Sequence, residues 1–178
     1  MKKILWSFLE IIETVAIAVV AVVLVRAFVV QPFVVSGASM EPTFYDGNYL
    51  LIDELTYRFR EPVRGEVVVF RYPGDHKSFY VKRIIGLPGE EVSLENGKVV
   101  VSQEEEATLN EDYLSSGTTP GSFEVVLNED EYFVMGDNRS FSFDSRSWGP
   151  VTRDEIVGLV RIRLWPIESV QAFSAPAY

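Results

Sequence analysis

Glu91-Val92-Ser93-Leu94-Glu95-Asn96-Gly97-Lys98-Val99-Val100-Val101 places two short β-prone runs on either side of an Asn-Gly step. Asn-Gly accepts the positive φ angles of a type I′ turn, whose twist matches that of antiparallel strands. These eleven residues therefore predict a hairpin. Outward from it, similar β-branched and aromatic runs recur between Gly, Pro and Asn: Phe33 to Val35, Tyr49 to Ile52, Glu66 to Phe70, Phe79 to Ile85, Glu131 to Met135 and Gly158 to Leu164. Asp53 to Arg60 reads as one or two helical turns. Gln103 to Ser122, acidic and then rich in Ser, Thr and Gly, reads as a surface excursion or small cap. The pattern predicts a mainly antiparallel β domain, either a partly closed barrel or packed sheets.

The N-terminal segment is different in kind. Ile11 to Val30 is an apolar run of about 20 residues, long enough at ~1.5 Å per residue to span a ~30 Å hydrocarbon core. Glu13 and Arg26 stand near its ends, where long side chains can reach the interface. Gln31-Pro32 is expected to end the helix. A cleaved signal peptide has a shorter core and a small-x-small ending, which Arg26-Ala27-Phe28-Val29-Val30 lacks. The expected organisation is a cytoplasmic N-terminus and transmembrane anchor over 1–31, then an extracytoplasmic β domain over 32–178 with a small cap or insertion within about 91–130. Lys2 and Lys3 orient the N-terminus to the cytoplasm, so the localisation expected is a single-pass plasma-membrane protein with its domain on the outer face.

Composition narrows the chemistry. With 47% hydrophobic residues and 13% aromatics, the 178-residue chain can build a core. It has no cysteine, which excludes disulfides, a thiolate nucleophile and zinc–thiolate sites. The formal charge is −10, with +1 in the first 30 residues and −11 after them, so nucleic acid is not expected as a partner. The one histidine, His76, lies in the turn-like Pro73-Gly74-Asp75-His76-Lys77-Ser78, which argues against a Ser-His-Asp triad.

Two residues remain that can do chemistry together. Ser39 lies in Ser36-Gly37-Ala38-Ser39-Met40-Glu41-Pro42-Thr43, where Gly37 and Ala38 permit close backbone approach and Pro42 imposes an extended or turn conformation. Taken alone it reads first as an ordinary turn serine. Lys82 opens the apolar run that follows Tyr80-Val81; in a strand it shares a face with Tyr80 and Ile84. Burial among such side chains disfavours its ammonium form. A serine needs a neighbouring base to become a nucleophile, and a neutral lysine can be that base. A third segment, Gly136-Asp137-Asn138-Arg139-Ser140-Phe141-Ser142-Phe143-Asp144-Ser145-Arg146, offers Ser142 to orient a lysine amine and an Asp144–Arg146 pair to hold the loop. As a calcium loop it fails, because Arg139 stands where an oxygen ligand is needed and the required glycine is missing. No metal is expected.

Together, in this order, these segments resemble those of bacterial type I signal peptidases, in the single-anchor, Gram-positive-like form. The resemblance runs through the anchor, Ser36 to Thr43, Arg64 to Phe70, Lys82 to Gly89 and Gly136 to Gly149. It implies one N-terminal transmembrane helix followed by an antiparallel β catalytic core of Ser-Lys signal-peptidase type with a small β cap. It also implies a serine endopeptidase without cofactor, cleaving exported preproteins after a small-x-small motif at the outer face of the lipid bilayer. Ser39 would be the nucleophile, Lys82 the general base, Ser142 the orienting hydroxyl, and Asp144 with Arg146 the buttress. Many Gram-negative members carry an oxyanion-donating hydroxyl where this chain has Gly37. The Ser39 N–H is then the expected oxyanion donor, with the Gly37 region, Ser36 or water as the second. Substrate is expected to add as a strand beside Val34-Val35 and Phe79-Tyr80-Val81, with Met40, Val35, Tyr80 and Val81 lining the pocket. The competing reading is a membrane-anchored, non-catalytic β binding module or inactive relative. A self-cleaving Ser-Lys repressor is disfavoured by the anchor and the acidic balance.

Overall fold

The computed structural model describes residues 2–28 and 30–176. Met1 and Val29, within the expected N-terminus and anchor, lie outside the described residues. Lys2–Phe28 forms one helix, α1. Its residues 10–20 are all exposed. Among the described residues no helix is long and apolar enough to cross a membrane, so the transmembrane character expected of Ile11 to Val30 is not shown. The helix ends at Phe28, ahead of Gln31-Pro32, and Pro32 itself lies within strand β1 (Val30–Val34). That strand is at the edge of its sheet and among the described residues pairs only with β2 (Tyr49–Asp53), so the missing proline N–H costs little.

The remaining strands form two antiparallel sheets. In the larger, eight-stranded sheet, β3 (Val67–Arg71), β4 (Phe79–Gly86), β9 (Glu131–Met135), β10 (Val151–Thr152) and β11 (Ile156–Trp165) join β1 and β2 in the order β1-β2-β11-β3-β4-β9-β10. A short β12 (Gln171–Ala172) adds onto β11. The second sheet runs β7-β6-β5-β8, from β5 (Glu91–Glu95), β6 (Lys98–Ser102), β7 (Glu106–Thr108) and β8 (Glu124–Val126). The hairpin predicted at Asn96-Gly97 is present, with φ of 50° and 78° at the two turn residues. Residues 103–122 contribute strand β7 and a long loop, and Asp53–Arg60 contains a single 3-10 turn, Thr56–Arg58.

The mostly apolar run Val67 to Phe70 is explained by packing. Val68 and Phe70 face one core with Ile84, Val134 and Leu159, while Val67 and Val69 face another with Met40, Phe44 and Ile52. A strand buried on both faces has no reason to alternate. Ile85 turns the other way from Ile84 and, with Phe133 and Met135, joins the core beneath the second sheet. Where the sheets meet, a Cβ on Gly86 would strike Val92 and Leu127, so only glycine permits that approach. Phe70, with no exposed surface, is a single change that would break the central packing: Phe70→Ala should cost about 3–5 kcal/mol.

Candidate active site

Ser39 sits in the turn that follows β1, and its position is set by its neighbours on both sides. Gly37 adopts a φ of 91°, a region that disfavours other residues, and its N–H donates to Asp46 Oδ1 at 2.7 Å. Met40 is completely buried against Phe44 and Ile52. The Ser39 carbonyl accepts from the Asn138 N–H at 3.0 Å, and the Ala38 carbonyl accepts from Asn138 Nδ2 at 3.0 Å. Among the described residues the Ser39 N–H makes no hydrogen bond and remains available to a ligand.

Lys82 lies in the middle of β4, opposite Val68, with only 4% of its surface exposed. Its Nζ donates to Ser39 Oγ at 2.8 Å and to the Val81 carbonyl at 2.9 Å, and stands 5.6 Å from the centre of the Tyr80 ring. Burial pushes the ammonium pKa down from 10.5 to about 8, against the opposing pull of the Asp144 and Asp137 carboxylates. An amine with that value is substantially neutral near pH 8.

The loop after β9 surrounds this pair. Asp144, fully buried, takes a two-point ion pair from Arg146 (Nε and Nη2, both 2.8 Å) and the Gly136 N–H at 3.0 Å. Burial alone would raise the Asp144 carboxyl, but Arg146 and that amide outweigh it and hold the pKa below its ordinary value. Ser142 is not a partner of Lys82, whose amine is taken up by Ser39 and Val81. Ser142 Oγ is buried without a well-directed hydrogen bond, although it lies close enough to Asp144 to help hold that carboxyl down.

Several residues had no assigned role in the sequence. Arg83, next to Lys82, makes a buried pair with Asp137 (Nε–Oδ1 2.8 Å, Nη2–Oδ2 2.6 Å) and donates to the Gly65 carbonyl at 2.8 Å. Arg139 is buried against Glu111 and Thr119 of the long loop. Adjacency to Lys82 and membership of the Gly136–Arg146 segment were the available signals. Their partners, up to 54 residues away in sequence, were not foreseeable. Among the described residues no group of His, Asp and Glu side chains has the arrangement of a metal site.

A cleft of about 440 Å³ opens over Ser39 and Lys82. Val35, Tyr80 and Val81 line it, as does Phe79 of the expected flanking strand, with Phe33, Phe141 and Phe143, which were not foreseen as pocket residues. Met40 corrects the expectation. It lies in the core beneath the turn, because its apolar chain gains more from the Phe44 and Ile52 contacts than from a solvated wall. Ser36 and Gly37 also line the cleft, but the Gly37 N–H is committed to Asp46 and is not free to bind an oxyanion.

A hydroxyl bonded to a buried amine of lowered pKa, at the floor of an apolar cleft in an antiparallel β fold, has the makings of a serine hydrolase that works without histidine. The chain belongs to the signal peptidase family, peptidase S26, whose pattern matches residues 8–165. It is similar to a probable signal peptidase I-2 of Synechocystis sp. (39% identical over 173 residues, covering 92% of this chain and 76% of the relative). It is also similar to signal peptidase IB of Staphylococcus aureus strain Mu50 (35% over 175 residues, covering 90% and 91%). The crystal structure of a signal peptidase I from Enterococcus faecalis V583 superposes with a TM-score of 0.51 at 30% identity, covering 57% of this chain and 97% of that one. As a member of this family the chain is a serine endopeptidase that removes signal peptides.

Proposed function

We propose that Ser39 is the nucleophile and Lys82 the general base of this peptidase, and that substrates are exported preproteins cut after a small-x-small sequence. The observation that carries the reading is the 2.8 Å hydrogen bond between a buried Lys82 amine and Ser39 Oγ. In the acylation step neutral Lys82 takes the Ser39 proton while Oγ attacks the scissile carbonyl. The resulting oxyanion meets the free Ser39 N–H. Lys82, now protonated, gives its proton to the leaving amine. Neutral again, it deprotonates the water that releases the acyl group, and the proton returns to Ser39 as the C–O bond breaks. Ser36 is the second oxyanion donor we favour, since the residue lines the cleft and the Gly37 amide is occupied.

The substrate would add as a strand between Val34-Val35 and Phe79-Tyr80-Val81, with alternate side chains entering the cleft. The close aromatic walls would admit Ala or Gly beside Ser39. Asp144 with Arg146 would buttress the loop, and Ser142 would approach Lys82 once the Ser39 hydroxyl is engaged with substrate. The second sheet, with its loop, serves as the small cap within 91–130.

An anchor over Ile11 to Val30 completes the proposal, with 1–31 as cytoplasmic terminus and span and 32–178 as the outer-face domain on the plasma membrane. Support comes from the exposed Ile11, Ile12, Val15, Ile17, Val19, Val20 and Val22 on α1, apolar side chains that the rest of the protein leaves uncovered and that a lipid bilayer would cover. The test is cleavage of a preprotein by wild-type, Ser39→Ala and Lys82→Arg proteins. Both variants should be inactive, because guanidinium cannot give up its proton. Activity in Lys82→Arg would remove Lys82 from the base role.

A further inference from the structure

A second cleft adjoins the first. Its volume is about 310 Å³ and its walls include Glu41, Pro42, Tyr45, Ser115, Asn138 and Phe141. Phe141, 77% exposed, also borders the cleft over Ser39 and Lys82, so this ring is a wall common to both. If the signal segment occupies the side walled by Val35, Tyr80 and Val81, the cleft beyond Phe141, with Glu41 in its wall, is left for the chain leaving the cut.

The charges in this second cleft are accounted for with one exception. Asp137 is neutralised by Arg83, and Arg139 by Glu111. The Asn138 amide is spent on the Ala38 carbonyl. Among the described residues the Glu41 carboxylate, only partly exposed, has neither an ion-pair partner nor a hydrogen bond. A carboxylate left unpaired in a concave, partly desolvated wall attracts cations more strongly than the same group on open surface.

We propose that Glu41 is a specificity-determining residue on the leaving-group side, favouring a basic and disfavouring an acidic side chain among the first three residues of the mature protein. This rests on the Ser39–Lys82 reading above, which sets the direction in which substrate crosses the site.

The experiment uses the full-length protein in detergent and peptides that carry one small-x-small cleavage site. The first, second or third residue after the cut is in turn Lys, Ser or Glu. At one of those positions the wild type should cleave the Lys peptide about fivefold faster, by kcat/KM, than the Glu peptide, the scale of one partly exposed ion pair. The ratio should shrink toward one in high salt. Glu41→Gln should bring it to about one, and Glu41→Lys should invert it. Equal rates for Lys and Glu at all three positions in the wild type overturn the proposal, as does a preference that persists in Glu41→Gln. Cleavage of the Ser peptide by wild type and not by Ser39→Ala shows that the underlying peptidase reading stands whichever way the ratios fall. Loss of cleavage of every peptide by the wild type would overturn both.

Discussion

The backbone N–H of Asn138 donates to the Ser39 carbonyl at 3.0 Å, while its side-chain amide reaches the neighbouring Ala38 carbonyl at 3.0 Å. Two segments some hundred residues apart are thus pinned to each other directly behind the reactive hydroxyl. Asn138→Ala deletes the second bond and keeps the first. A net hydrogen bond is worth about 1 kcal/mol, so kcat/KM should fall about fivefold with little change in thermal midpoint. Steady-state kinetics showing no loss would mean that the side-chain bond does not position Ser39.

Gly136 makes a sharper version of the same argument. A Cβ at this position would collide with the Ser39 carbonyl oxygen and with the Ser142 side chain. Gly136→Ala should therefore push the Ser39 turn out of line with Lys82. A displacement near 1 Å at a reacting group can cost about 100-fold in rate. Circular dichroism should remain that of the folded protein while kcat drops by that order, and full activity would contradict the packing.

Lys82 links catalysis to stability through pH. Its pKa is lowered to about 8 in the folded protein from 10.5, so between these values the unfolded chain binds more protons and stability rises with pH. Below pH 8 the whole cost, about 3 kcal/mol, weighs on the folded state. Lys82→Met should abolish activity and yet unfold at higher denaturant concentration than wild type at pH 7. That advantage should fade as pH rises from about 8 past 10. In the wild type, kcat/KM should climb through a limb near pH 8 as the amine loses its proton. A limb that disappeared in His76→Ala would assign the titration elsewhere.

The buried pair of Arg83 and Asp137, with side-chain exposures of 6% and 0%, predicts a large asymmetry. Asp137→Ala strands a buried guanidinium and should cost about 3–5 kcal/mol in urea unfolding. Replacing both partners with apolar residues of similar size should cost less than the single change. Equal losses would mean that the charge of Arg83 is satisfied by its other contacts.

Much of this protein is legible in its amino-acid sequence. Local chemistry specified the Asn96-Gly97 turn, most strand positions and the mainly antiparallel character, because turn propensity and apolar runs act over a few residues. The order of the Ser39, Lys82 and Gly136–Arg146 segments pointed to the signal peptidase family. Less local matters depended on packing. Met40, read as a pocket wall, is core, and Pro32, read as the stop of a helix that ends at Phe28, itself lies in an edge strand. Ser142 was expected at Lys82 and is not its hydrogen-bond partner here.

What the amino acids settled unaided were the kinds of element and the residue types available for chemistry, since a serine and a lysine advertise their reactivity in any context. Which groups meet was decided by the strand order of the larger sheet, which sets β4 next to β9 and so brings the loop after β9 against the Ser39 turn. The lowered basicity of Lys82 and the pairings of Arg83 and Arg139 likewise exist only once distant segments exclude water from around them. Desolvation belongs to the packed whole and has no counterpart in a linear chain.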